Sequence, residues 1–120
     1  MDNKKKLTRT HEAKERKYVE GKLVSELKKM GVFNCKGNPK QLRGFPDRMV
    51  FINQKIIFVE CKAGAEFGSY YRQTELQKRW QKQIEASGCE YKIVEGTSGV
   101  KSFIEELKKE IEIYGKTYCF

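Results

Sequence analysis

Two β-rich runs, Asp47 to Ile52 and Lys55 to Lys62, flank the dipeptide Asn53-Gln54, and no feature of the chain restricts its fold more tightly. A two-residue connection closes an antiparallel hairpin, although Asn-Gln is weaker turn chemistry than Asn-Gly. With Asn53 and Gln54 as the turn, Ile52 pairs with Lys55 and, stepping outward, Asp47 falls opposite Glu60. Directly opposed residues share a sheet face with Cβ atoms ~5 Å apart. Lys62 lies two residues past Glu60 and so projects from that same face. Facing carboxylates repel, and a divalent cation between them removes the repulsion. Oxygen donors of this kind select Mg²⁺ or Mn²⁺ over zinc. Beside a phosphodiester, such a cation orients a water and lowers its pKa, while Lys62 holds that water or offsets transition-state charge.

The remaining pattern places this hairpin in an α/β domain. Apolar residues Val19, Leu23, Val24, Leu27 and Met30 recur at helical spacing, which predicts a helix from about His11 to Met30, stopped by Gly31. Val32 to Cys35 is a short strand, and Lys36 to Pro46 is a loop rich in Gly and Pro. Ala63 to Ser69 is a second loop. A second helix covers about Thr74 to Ala86, a fourth strand Cys89 to Val94, a turn Gly96 to Gly99, and a third helix Val100 to Tyr114 with Gly115 as its cap. The order αβββαβα predicts a mixed four-stranded sheet flanked by helices. Residues 1–10 are expected to form a flexible basic tail and 11–120 a single domain.

Glu20 is out of place on its helix. On a helical wheel it falls inside the apolar arc that includes Leu23, Val24 and Leu27. A carboxylate there needs a cation, hydrogen bonds or a raised pKa, unless it snorkels out as an edge residue or pairs with a lysine.

Charge is as unevenly placed. Residues 1–62 carry 16 basic and 7 acidic side chains, residues 63–120 carry 9 of each, so the whole net charge of +9 belongs to the first half. A one-sided basic excess suits a polyanion partner. With one histidine, His11, and four scattered cysteines, neither a zinc site nor a Ser-His-Asp mechanism is expected, and the cysteines are expected to be reduced. No apolar run approaches a membrane span, and no apolar segment follows Lys4-Lys5-Lys6 as a secretory signal would require.

These residues resemble a known superfamily. Pro46-Asp47 with Glu60-Cys61-Lys62 is similar to the PD-(D/E)xK nuclease motif. The combination of Gly44-Phe45-Pro46-Asp47-Arg48, Phe58-Val59-Glu60-Cys61-Lys62, Leu76-Gln77-Lys78-Arg79-Trp80 and Val19-Glu20 resembles the VRR-NUC family, the virus-type replication-repair nucleases, over about residues 16–105. The resemblance implies a restriction-endonuclease-like fold, with Glu20, Asp47, Glu60, Lys62 and Gln77 as the catalytic set. It implies Mg²⁺ or Mn²⁺ on Asp47, Glu60 and the backbone carbonyl of Cys61, with Glu20 reaching the ion through water. Gln77 has a second reading, because Thr74-x-x-Gln77 fits a capping box.

Stand-alone members of the family are similar to Holliday-junction resolvases. The resemblance therefore implies a structure-specific DNA endonuclease cutting four-way junctions as a homodimer, inside a bacterial or virus-infected host cell. A nuclease for flaps, nicked duplex or RNA, and a non-catalytic basic DNA-binding protein, are the alternatives. Lys22, Lys40, Arg43, Arg48 and Lys78 are candidate nucleic-acid contacts. Trp80, Tyr70 and Tyr71 are candidates for base stacking, although Trp80 shares a stripe with Leu76 and Ile84 that suits a core position.

Overall fold

Val50, Ile52, Ile57, Val59 and Cys61 alternate along the hairpin with other side chains, and all five are buried on one face of the sheet. The computed structural model describes residues 2–65 and 73–115, with side chains from Arg16 onward. Its elements run α1 (Asp2–Met30), β1 (Phe33–Lys36), β2 (Arg48–Ile52), β3 (Lys55–Lys62), α2 (Glu75–Ala86), β4 (Glu90–Glu95) and α3 (Gly96–Tyr114). The strands lie in the order β1-β2-β3-β4. β1, β2 and β3 are antiparallel neighbours, and β4 joins β3 in parallel after the α2 crossover. The architecture is thus the expected one, a mixed four-stranded sheet flanked by helices in a restriction-endonuclease-like arrangement.

The hairpin has the expected register. Ile52 pairs with Lys55 and Arg48 with Val59, which leaves Asp47 and Glu60 as the next position outward. Asn53 (φ 51°) and Gln54 (φ 62°) both sit in the left-handed region, as a type I′ turn requires. Lys55 next to the turn is paired with Glu90 of β4 and Glu110 of α3, anchoring the hairpin's closed end.

α1 and α3 cover the apolar face together. Val19, Leu23 and Leu27 of α1 and Val100, Phe103, Ile104 and Leu107 of α3 form one cluster with the strand residues. Each such side chain contributes about 1.5–3 kcal/mol on burial, so this face holds the domain together. α2 packs on the opposite face through a smaller contact. Its Trp80 ring stands edge-on to Phe45 (5.0 Å between centroids), Phe45 meets Phe58 (5.8 Å), and Trp80 Nε1 donates to the Arg43 carbonyl at 2.8 Å.

Several boundaries differ from the sequence expectation. The α1 backbone is helical from Asp2 rather than His11; residues 2–17 contain no Gly or Pro and are dominated by good helix formers, so nothing stops propagation toward the N-terminus. β1 is shifted one residue, to Phe33–Lys36. Gly96 to Gly99 is the first turn of α3 and not a separate turn. A Cβ at Gly99 would stand 3.3 Å from the Val94 backbone, so glycine lets the helix start directly against the end of β4. Trp80 belongs to neither the main core nor an open surface: it pins the β1–β2 loop, while Leu76 above it is exposed. Gly44 makes that docking possible, with φ +83° and with Leu76 Cβ only 2.8 Å from where its own Cβ would be. Tyr70, Tyr71 and Cys119 lie outside the described residues. Among the described residues no helix is long and apolar enough to cross a membrane.

The turn yields a direct test. A non-glycine residue in the left-handed region costs roughly 1–2 kcal/mol, less for Asn. Gln54→Gly, which restores Asn-Gly, should stabilise the domain by about 1 kcal/mol in urea denaturation. An unchanged midpoint would mean that Gln54 makes a compensating contact.

Candidate active site

The chemistry-bearing side chains gather where β2 begins and β3 ends. Asp47 precedes β2, and its Oδ2 accepts the Cys61 backbone N–H at 2.8 Å. That bond fixes the carboxylate against β3, one position beyond the last ladder pair, Arg48–Val59. Glu60 and Lys62 are both buried, with side chains 3% and 5% exposed, and their Oε1 and Nζ atoms are 3.5 Å apart.

Gln77 joins them from α2. Its side-chain Nε2 donates to Glu60 Oε1 at 3.3 Å, and its Oε1 accepts the Thr74 N–H at 2.9 Å while Thr74 caps the helix. One end of Gln77 closes the capping box, and the other end touches Glu60. Thr74 thereby fixes the side chain that approaches Glu60.

Electrostatics at this point are dominated by desolvation. Burial, then the neighbouring Asp47 charge, push the Glu60 carboxyl up to about 8, with Lys62 pulling the other way. Burial also pushes Lys62 down, opposed by the Glu60 and Asp47 charges and assisted by Arg16. The Cys61 thiol is pushed up, mainly by burial and then by Asp47, Glu20 and Glu60, so it is an inert packing group. Glu60 Oε2 is buried and, among the described residues, receives no hydrogen bond from an N–H or hydroxyl donor. An orphaned carboxylate oxygen in a dry site, beside a second carboxylate, is a ready ligand for a hard cation. Asp47 and Glu60 are oxygen donors of the kind that Mg²⁺ or Mn²⁺ takes. Among the described residues no three His, Cys, Asp or Glu side chains close on one point, so the protein would hold the ion through two carboxylates and backbone.

Glu20 approaches from the other side of the sheet. It is half-buried on α1, and its Oε2 lies 3.4 Å from Arg48 Nη1. Arg48 Nη2 donates in turn to Asn34 Oδ1 on β1 at 2.6 Å. The cation that answers the misplaced glutamate is thus Arg48, not a lysine. The Arg48 side chain, a candidate nucleic-acid contact on sequence grounds, is only 13% exposed and turned inward. Strand alternation foretells this: Asp47 and Arg48 are consecutive, so they face opposite sides.

The other basic candidates scatter. Lys40 lines a cleft of about 980 Å³ that Glu20 and Asp47 also line, together with Arg16, Lys17 and Lys36, which the sequence reading did not single out. Helical periodicity could have found Arg16, one turn before Glu20. Lys22 lines a separate cavity of about 420 Å³ with Thr97, Lys101 and Lys108. Arg43 is exposed on the β1–β2 loop, and Lys78 pairs with Glu75 on the open face of α2. Tyr91 was also missed. It is buried on β4, its hydroxyl accepts from Gln73 Nε2 at 3.2 Å, and burial and then the Glu60 charge push it up to about 12.

An α/β domain with a carboxylate pair and a lysine buried at one end of its sheet defines a class of candidate hydrolytic site. No family model matches the chain. It is similar to a phage protein provisionally named nuclease p44, from Acyrthosiphon pisum secondary endosymbiont phage 1: 47% identity over 58 residues, which is 48% of this chain and 62% of the relative. The match thus spans less than two thirds of the relative's length.

Two outcomes test this geometry. Glu60 has a folded pKa of about 8 against an ordinary 4.5, so the folded state binds its proton more tightly than the unfolded chain does. Stability without metal should therefore fall as pH rises from about 4.5 through about 8, and Glu60→Gln should flatten that slope; equal slopes would move the proton elsewhere. Arg48→Met leaves Glu20 unpaired and should cost about 1–3 kcal/mol, most of it recovered in Glu20→Gln/Arg48→Met. Additive losses would show that the two side chains act independently.

Proposed function

We propose that this protein is a divalent-metal-dependent nuclease that hydrolyses phosphodiester bonds at the Asp47–Glu60–Lys62 site. The observation that carries this reading is the buried Glu60 carboxyl beside Asp47 and Lys62, its Oε2 without an N–H or hydroxyl donor among the described residues, since a purely nucleic-acid-binding surface has no use for a desolvated carboxylate pair facing a polyanion. The similarity to a phage protein named as a nuclease supports it independently. Asp47, Glu60 and the Cys61 carbonyl would hold Mg²⁺ or Mn²⁺. When bound, the ion supplies an acidified water and neutralises phosphate charge.

The chain's own residues divide the remaining work. Lys62 Nζ orients the attacking water or offsets charge building on the phosphorus oxygens. Gln77, held by Thr74, keeps Glu60 Oε1 in place and leaves Oε2 as the donor. Glu20, with its charge set by Arg48, faces the approach to Asp47.

On this reading the substrate is branched DNA, a four-way junction, and the working unit is a homodimer within a bacterial or virus-infected host cell. Cutting two strands before the junction dissociates needs two linked sites, which C₂ pairing supplies. The +9 charge serves the polyanion. Labelled four-way junction, flap, nicked duplex, plain duplex and RNA, each with Mg²⁺, Mn²⁺ or EDTA, form the test. Junction cleavage that needs metal and falls at least a hundredfold in Asp47→Asn and Glu60→Gln is the expected result. Cleavage of flap or RNA alone would change the substrate, and binding without cleavage would leave a DNA-binding protein. Light scattering at about twice the 14.1 kDa chain mass checks the dimer.

A further inference from the structure

The approach to Asp47 is a cleft of about 980 Å³ with α1 as one wall and the β1–β2 loop as the other. Arg16 and Lys17 stand on the α1 wall, Lys36 at the end of β1 and Lys40 on the loop that follows it, and all four are exposed. None of them forms an ion pair among the described residues, in contrast to Lys29, Lys55, Lys62, Lys78 and Lys92 elsewhere on the molecule. The two acids lining the same cleft do not cancel this field. Glu20 is neutralised by Arg48, and Asp47 is 8% exposed and bound to the Cys61 N–H.

The loop wall is held by its own bonds. Gly37 N–H donates to the Asp47 carbonyl at 2.7 Å, Leu42 N–H to the Asn38 carbonyl at 2.8 Å, and Asn38 Oδ1 accepts the Gln41 N–H at 3.2 Å. A charged channel that exists before its ligand arrives loses little entropy on binding. Its volume of about 980 Å³ is room for a short stretch of one strand's backbone. Arg16 lies one helical turn before Glu20 and acts electrostatically on Lys62, so it overlooks the point where the cleft meets the buried site.

We propose that this cleft binds the sugar–phosphate backbone of a single unpaired strand as it leaves a branch, with Arg16 holding the phosphate nearest Asp47 and Lys17, Lys36 and Lys40 holding its neighbours. This rests on the nuclease reading for its purpose, but the binding itself is separable from cleavage. On this inference a branch with an unpaired arm, such as a flap, fills the cleft, whereas a four-way junction reaches it only where its strands exchange.

Fluorescence anisotropy in EDTA, with a labelled single-stranded oligonucleotide and the blunt duplex of the same sequence, provides the test on the full chain. Arg16→Ala/Lys17→Ala and Lys36→Ala/Lys40→Ala should each weaken single-strand binding at least tenfold. Each should also reduce the slope of log K against log salt by about 1.4, two phosphate contacts at about 0.7 apiece. Lys101→Ala/Lys108→Ala removes the same charge at the separate cavity and should change binding by less than threefold. Equal losses in cleft and control variants, or a duplex that binds as tightly as the single strand, would overturn the proposal. If the wild type cleaves nothing while the cleft variants still lose single-strand binding, the nuclease reading fails and the cleft stands. If cleavage is robust and the cleft variants bind normally, the reverse holds.

Discussion

Placing two carboxylates beside each other out of water is the constraint to which the rest of the structure answers. Two unit charges ~4 Å apart repel by about 4 kcal/mol at an effective dielectric of 20. Here each is also stripped of solvent. The protein meets this with the Cys61 N–H on Asp47, Lys62 and Gln77 on Glu60, and a proton that Glu60 retains up to about 8. Among the described residues one oxygen of Glu60 is still left without an N–H or hydroxyl donor. On the proposed reading, a hard dication would take the place of that proton between the two carboxylates.

The hairpin does this through the alternation of a single strand. Asp47 and Arg48 are adjacent, so they serve opposite faces. Asp47 meets β3 and, through Glu60, the α2 side; Arg48 turns beneath α1 and meets Glu20 and Asn34. Two helices that do not share a face are thereby oriented around one short segment. The apolar face supplies the stability, through α1 and α3, while the opposite face carries the polar site under a lighter cover from α2.

Charge is separated by depth in the same way. The buried centre is acidic and short of cations, whereas the surrounding walls are basic and exposed. On the proposed reading, a polyanion would meet Arg16, Lys17, Lys36 and Lys40 at the rim and carboxylates only at the floor. The surplus of the first half of the chain is therefore not a uniform coating. Part of it lines the approach to Asp47, and part, such as Lys22, lies elsewhere on α1.

Residues close in sequence, or related by a strict period, were legible in advance. A two-residue turn leaves an antiparallel pair no freedom of register, so the Asp47–Glu60 level and the common face of Lys62 follow from spacing alone. The helices that end in Gly31 and Gly115 and the element order αβββαβα follow from period and punctuation. Partners across elements were not legible. That Glu20 meets Arg48, that Gln77 spans Thr74 and Glu60, that Trp80 holds a loop, and that four basic residues from α1, β1 and the loop after it share one cleft all depend on how helices settle on the sheet. Packing of many weak contacts decides that settling, and no local spacing encodes it, because residues far apart in the chain become neighbours only once the apolar face is closed.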